Sequence, residues 1–423
     1  MAPGDESSNG PSNASSPLRI AVVHSFYASA VPSGENQAVM DQIAALRRAG
    51  HEAHVLAAHT DELGRSPFHP LRAAVTVSSG RGLSPEAELR KLRPDVVHVH
   101  NLFPNFGNSW LRSWQGPIVV TVHNYRPMCA AATLYRKGAM CTLCPDGDRW
   151  AGLRNGCYRG SRVATAPLAW AGRHGTAANP LLRHAYRIVV LSETSRQMYI
   201  RAGLDHRRLT LVPNFTTDID ASESADFFKH DTIASDAAWV FAGRLSPEKG
   251  LKELLERWPA DERLDVVGDG PLLDDCRRAA PPSVCFLGAL DHTDIRQRLP
   301  SWRGLVFPSR WLEGAPLIYP EALAAGLPVL AFAGSAVAAS VREQGTGAVV
   351  DWNESLSTAL RRAAVRFPSL RPHCRSVFLR HFTEDVWRER IESVYSAALT
   401  HHAAAPHAPT AVGPAVTATE GTW

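Results

Sequence analysis

Short apolar runs recur along the chain, each followed by a polar or glycine-bearing loop and then by a helix-like segment. LRIAVVHSF (18–26) leads into VPSGEN (31–36), and QAVMDQIAALRRAGH follows as a helix ending at Gly50. EAHVLAAH then reads as the next strand. Strand, loop, helix and strand in that order make a βαβ unit, and runs this apolar suit a buried parallel sheet. DVVHVHN (95–101), PIVVTVHN (117–124) and RIVVLSE (187–193) continue the series. A second series begins near residue 237 with AAWVFAGRL, LDVVGDGP, VCFLGAL, GLVFPSR and LPVLAFAG. Helices fall between these strands, including 247–257 and 318–325.

The pattern predicts an α/β chain with two Rossmann-like, doubly wound parallel-sheet domains, 18–213 and 237–380. They would face each other across a cleft at the carboxyl ends of both sheets, where ligands of such folds bind. Residues 214–236 are polar and poorly periodic and read as a linker. In FTEDVWRERIESVYSAAL (382–399), Val386, Trp387, Ile391, Val394, Tyr395 and Ala398 share one stripe, which predicts a closing helix over 381–399. The low-complexity ends, 1–17 and 400–423, read as a disordered leader and tail.

Composition narrows the class. A chain of 423 residues with 45% hydrophobic and 20% charged residues is ordinary for a globular protein of two or three domains. The formal net charge of +4 suits an anionic small ligand, and no Lys/Arg run points to nucleic acid. No apolar stretch reaches the roughly 18 residues of a membrane span, and no basic amphipathic helix favours tight membrane binding. The N-terminus lacks a basic region followed by an apolar core. The expectation is a cytoplasmic protein without stable membrane insertion, whose seven cysteines stay reduced or bind metal.

Candidate chemistry gathers in the second half. In FAGRLSPEKG (241–250), Gly243 permits a tight turn off a strand, and Ser246 can cap a helix that has Pro247 at its first position. Arg244 and Lys249 bracket that helix start, a place suited to phosphate oxygens. The plainer reading is a βα turn with two solvated cations. In VVGDGP, Gly268 and Gly270 would keep the backbone close to whatever occupies the cleft. Gly34 in PSGEN could bring amides near an anion, though neither glycine loop is specific by itself. EGAPLIYPEALAAGLPV places Glu313 and Glu321 at the two ends of a turn and helix start.

Taken in order, PSGEN, TVHN, VPNF, FAGRLSPEKG, VVGDGP, FLGAL and FPSRWLEGAPLIYPEALAAGLPVLAF resemble the retaining GT-B glycosyltransferases of family four. The resemblance covers about residues 18 to 396. It implies that Glu313 accepts hydrogen bonds from the donor sugar and that Glu321 binds the ribose of the nucleotide. Arg244 and Lys249 would neutralise the diphosphate, met also by amides around Gly314, Leu317 and Ile318. His123 would touch the donor sugar, and the Gly34 loop would close on phosphate or acceptor. Transfer with retention, on one face of the sugar and with no metal or other cofactor, follows from the same resemblance. Two departures stand out. Gly314-Ala315-Pro316 replaces the usual Gly-Phe-Gly, so Pro316 brings no N–H, and Ser33-Gly34 replaces two glycines.

The donor implied is a nucleotide sugar, with UDP favoured over GDP by family frequency. The head VVHSFYASAVPSGENQAV resembles bacterial transferases of antibiotic or cell-envelope pathways. An aminocyclitol such as 2-deoxystreptamine is one acceptor reading, and a lipid-linked or polysaccharide acceptor is its rival. A UDP-sugar epimerase shares the fold, but the full Glu313/Glu321 context with GRLSPEKG argues against it. A binding module without catalysis would be expected to lack Glu313, Arg244 or Lys249.

Cys129, Cys141, Cys144 and Cys157, spaced C-x11-C-x2-C-x12-C in an insert over 129–157, allow a structural zinc site. A reduced thiol set in a long loop is the alternative. His98 and His100 read as packed polar residues at a sheet end, with Asn101 facing the cleft. Cys276, Cys285 and Cys374 read as buried small residues, and Trp150, Trp302 and Trp311 as core or rim.

Overall fold

Six parallel strands build the first sheet: β1 (Arg19–Phe26), β2 (Glu52–His59), β3 (Val96–Asn101), β4 (Ile118–Val122), β7 (Arg187–Val190) and β8 (Leu209–Leu211). Their order is β2-β1-β3-β4-β7-β8. The second sheet holds β9 (Trp239–Ala242), β10 (Leu264–Val267), β11 (Val284–Gly288), β12 (Leu305–Phe307), β13 (Val329–Phe332) and β14 (Gly347–Val350), in the order β11-β10-β9-β12-β13-β14. A two-stranded hairpin of β5 (Tyr135–Arg136) and β6 (Ala139–Met140) lies in the cysteine insert. This computed structural model describes residues 16–27, 33–218 and 237–404. Most of the expected leader, linker and tail lies outside those residues.

Both sheets are parallel because every strand returns through a helix. Their apolar runs are covered on both faces, so β3 and β4 are buried along almost their whole length. Each sheet reverses its winding once, between β1 and β3 in the first and between β9 and β12 in the second. Loops leaving the carboxyl ends of those pairs splay apart and open a crevice. The segments after β9 and β12 are GRLSPEK and PSRWLEG, so the second crevice holds the predicted site.

The closing helix forms and is longer than expected. Glu384–Ala404 follows a long helix, Leu356–His381, and takes in residues 400–404, which the sequence reading had placed in the tail. Trp387, Ile391, Val394, Tyr395 and Ala398 are buried against Ile20, Val22 and Val39 of the first domain. The chain therefore crosses back after the second domain, and the Trp387 ring packs 5.0 Å from Phe215.

The expected helix 247–257 is broken. Pro247–Lys249 is a single 3-10 turn, and Leu251–Leu255 is the helix. Gly250 separates them at φ 71°, and a Cβ there would stand 2.2 Å from the Pro308 carbonyl. Ser246 does not cap either piece; its Oγ instead donates to Glu248 Oε1 at 2.7 Å. Cys276 and Cys374 are buried as expected, whereas Cys285 is exposed. Trp302 is core, and Trp150 stands at the surface.

Candidate functional site

Glu313 is buried, and one oxygen takes three donors. Lys249 Nζ donates to Oε1 at 2.6 Å, Ser309 Oγ at 2.7 Å and Trp311 Nε1 at 3.0 Å. Ser309 and Trp311 come from the same FPSRWLEG loop, four and two residues ahead of the carboxylate. Lys249 comes across the β9/β12 crevice from the other loop. The arrangement fixes one carboxylate oxygen, Oε1, with three donors. Sequence reasoning missed Ser309, and it gave Trp311 a core or rim role although its indole N–H donates to Glu313.

Glu321 is also buried, inside the short helix Ile318–Ala324, and His292 Nδ1 stands 3.2 Å from its Oε1. That carboxylate side chain raises the His292 pKa above its ordinary value, through the hydrogen bond first and against partial burial. Arg244 is exposed and has no ion-pair partner among the described residues. Gly268 and Gly270 each lie against a neighbouring backbone. A Cβ at Gly268 would stand 2.0 Å from the Gly243 carbonyl, and one at Gly270 would stand 2.5 Å from the Leu245 carbonyl. Their missing side chains let the VVGDGP loop press on the GRL loop, so the close approach is between two protein backbones.

The first domain meets this loop directly. A Cβ at Gly314 would lie 2.5 Å from the His123 carbonyl oxygen, and one at Gly34 would lie 3.9 Å from Leu317 Cδ1. The structure thus joins Gly34, His123, Gly314 and Leu317 at the interdomain face, with Glu313 and Lys249 one residue and one side chain away. Pro316 lies in the same loop, just ahead of the short helix.

Around His123 the first domain holds a chain of imidazoles. His123 Nε2 is 2.9 Å from His100 Nδ1, and the rings of His100 and His98 lie 4.1 Å apart. His98 is fixed by Tyr395 Oη and Thr121 Oγ1, each at 2.8 Å, so it is a packed polar residue as expected. Burial lowers the pKa of His24 to about 4 and those of His98 and His123 to about 3, and it pushes His100 well down. These rings are neutral at ordinary pH, which lets them line a site without repelling Lys249 and Arg244.

Glu35 was not anticipated. It occupies the first turn of the helix Gly34–Arg48, capped by Ser33. Asn124 Nδ2 donates to its Oε2 at 2.9 Å, while Oε1 is buried with no hydrogen-bond partner. Desolvation raises its pKa to about 7, opposed by the Asn124 hydrogen bond and the Arg126 charge. Its only signal in the sequence was adjacency to Gly34.

These groups make stability pH-dependent in both directions. The four histidines have folded pKa values below the ordinary 6.5, so their contribution is present above that pH and is lost as pH falls toward 4. Glu35 has a folded value above its ordinary 4.5, so its contribution is lost as pH rises through about 7. Denaturant midpoints measured from pH 4 to 9 should rise up to about pH 7 and level off above it, the four histidines outweighing the opposing loss from Glu35 between about 4.5 and 7. Glu35→Gln should steepen the rise between about 4.5 and 7 and leave the profile above that range unchanged.

The four insert cysteines gather in one region, since Cys129, Cys141 and Cys157 all help raise the Cys144 pKa, after burial, to about 11. Among the described residues, however, no group of three or more His, Cys, Asp or Glu stands at metal-holding geometry.

Comparison with known proteins follows the same division of the chain. Residues 32–217 match the family model described as Glycosyltransferase Family 4, and residues 237–366 match the one described as Glycosyl transferases group 1. Each domain thus resembles a glycosyltransferase family. A GDP-mannose-dependent monoacylated alpha-(1-6)-phosphatidylinositol monomannoside mannosyltransferase of Corynebacterium glutamicum is 31% identical over 194 residues, 40% of this chain and 49% of that protein. The chain thus spans about half the length of that curated relative. Two solved structures share the fold at 16% identity. An Anabaena protein, HepE, in complex with UDP and glucose, has a TM-score of 0.56, covering 90% of this chain and all of that one. Sucrose-phosphate synthase of Thermosynechococcus elongatus has a TM-score of 0.61, covering 90% and 99%. The fold is GT-B, as expected. No described helix is long and apolar enough to cross a membrane.

Proposed function

We propose that the chain is a retaining glycosyltransferase that moves a hexose from a nucleoside diphosphate sugar to an acceptor hydroxyl. The observation that carries this reading is the Glu313–Lys249 pair at the β9/β12 switch point, facing His123 across the domains. Glu313, with one oxygen pinned by three donors, presents the other to the sugar. Lys249 and Arg244 neutralise the diphosphate as it leaves, where charge stabilisation acts most strongly. Glu321 binds the ribose at the far end of the loop. In the transfer step the bond from the anomeric carbon to phosphate oxygen breaks and the acceptor oxygen bonds on the same face. The acceptor proton passes to the departing diphosphate. No cofactor is needed for that balance.

The donor favoured is a UDP-sugar of glucose or N-acetylglucosamine type. GDP-mannose is the second reading, supported by the 31% identical mannosyltransferase, which uses that donor. The acceptor expected from the sequence is an aminocyclitol such as 2-deoxystreptamine, as in antibiotic assembly. A lipid-linked acceptor is the rival, supported by the same relative's action on a phosphatidylinositol mannoside. Incubating the protein with UDP- and GDP-sugars, with and without each acceptor class, should release nucleotide in an acceptor-dependent way. Absence of release from every donor would overturn the transferase reading.

A further inference from the structure

The two helices that flank the first domain's acceptor-side cavity are His69–Ser79 and Arg162–Ala171. They pack on each other. Thr76 and Val77 from one and Leu168 and Ala171 from the other line a cavity of about 160 Å³ that reaches His100 and His123. Their outer faces are unusual. Phe68 is 67% exposed, Leu71 65% and Val75 52%, and these positions follow one helical face. On the second helix Val163 is 85% exposed and Trp170 51%, seven residues apart on the same side. Beside the first helix runs an open groove of about 430 Å³, lined by Leu71, Val75 and Leu83 with Arg72 and Arg81 among its walls.

Charge singles out the same two segments. Residues 63–85 contain three arginines and residues 149–192 seven, and neither stretch contains an Asp or Glu. Removing those ten from the 45 basic residues leaves 35 against 41 acidic, so the chain's positive excess resides here. Arg65, Arg72, Arg81, Arg159, Arg162 and Arg173 have no ion-pair partner among the described residues, and Arg173 lies over the Trp170 ring at 4.1 Å.

We propose that this face docks on the surface of an anionic lipid bilayer. Apolar side chains standing out among unpaired arginines suit a headgroup boundary, where rings and aliphatic chains enter and guanidinium groups remain at the phosphates. A Trp with an Arg stacked on it fits that boundary. Nucleic acid would call for the charge without the exposed aliphatic face. The sequence expectation of no tight membrane binding rested on the absence of one basic amphipathic helix; here two short helices, far apart in sequence, share the task. Resting on the proposed transferase reading, the consequence is that the acceptor is lipid-borne and enters between these helices toward His123.

Co-sedimentation of the full chain with phosphatidylglycerol vesicles tests the surface without needing activity. The protein should pellet with those vesicles at low salt, be released by about 1 M salt, and stay in solution with phosphatidylcholine vesicles. Arg72→Glu together with Arg173→Glu should lower the vesicle partition coefficient at least about 30-fold. Phe68→Ser with Leu71→Ser and Trp170→Ser should also abolish pelleting. Arg173 is half-buried and the other four side chains are exposed, so melting temperatures should stay close to the parent's. No pelleting with anionic vesicles, or equal pelleting of the variants, would overturn the proposal while leaving nucleotide release untouched.

Discussion

Glu313→Gln is expected to slow sugar transfer by about 10²–10³-fold while the domain stays folded. The amide keeps the carboxylate's shape, and its oxygen can still accept from Ser309 Oγ and Trp311 Nε1, which hold Glu313 at 2.7 and 3.0 Å. What disappears is the negative charge opposite Lys249 and the acceptor strength toward the sugar hydroxyls. If that charge matters mainly as the sugar departs, kcat should fall far more than donor affinity. Steady-state kinetics with the active donor, beside calorimetric titration of UDP and GDP, separates the two. A variant with parental kcat would remove Glu313 from the site.

Much of this was readable along the chain, and the exceptions have physical causes. Apolar runs such as RIAVVHSF and WVFA predicted strands because parallel strands buried on both faces need nothing else. The Glu313, Glu321, Arg244 and Lys249 loops were visible because loops after parallel strands converge at one edge. Contacts across the crevice were not visible. Nothing in FPSRWLEG says that the tryptophan N–H turns back on a carboxylate two residues on. Nor could VVGDGP reveal that Gly268 and Gly270 make room for the backbones of Gly243 and Leu245. Glu35 was hidden for a related reason, since a carboxylate in a first helical turn is ordinarily solvated. Its burial depends on Asn124, 89 residues later. The split at Gly250 was missed because local propensity continues through LKELL, whereas the break is set by the Pro308 backbone.

Lys249→Met should cost both turnover and stability, and the two losses should separate in a double variant. The ammonium lies 2.6 Å from a carboxylate only 6% exposed, so removing it leaves a buried charge held by two neutral donors. Losing that partner costs about 1–3 kcal/mol, which for a domain of this size lowers the melting temperature by several degrees. On the proposed reading, turnover should drop by about 10²–10³-fold, because one of the two cations assigned to the diphosphate is gone. Adding Glu313→Gln removes the stranded charge. Calorimetric melting of Lys249→Met/Glu313→Gln should therefore recover most of the lost stability, giving a clear coupling in the double-mutant cycle. Activity should not recover, since the ion pair's structural partner is restored to neutrality while both chemical groups are absent. If the single Lys249 variant melted like the parent, the pair would be a solvated contact. If the double variant regained activity, neither residue would act on the donor. A result with stability restored and turnover still low would tie the two loops of the β9/β12 crevice to chemistry rather than to folding alone.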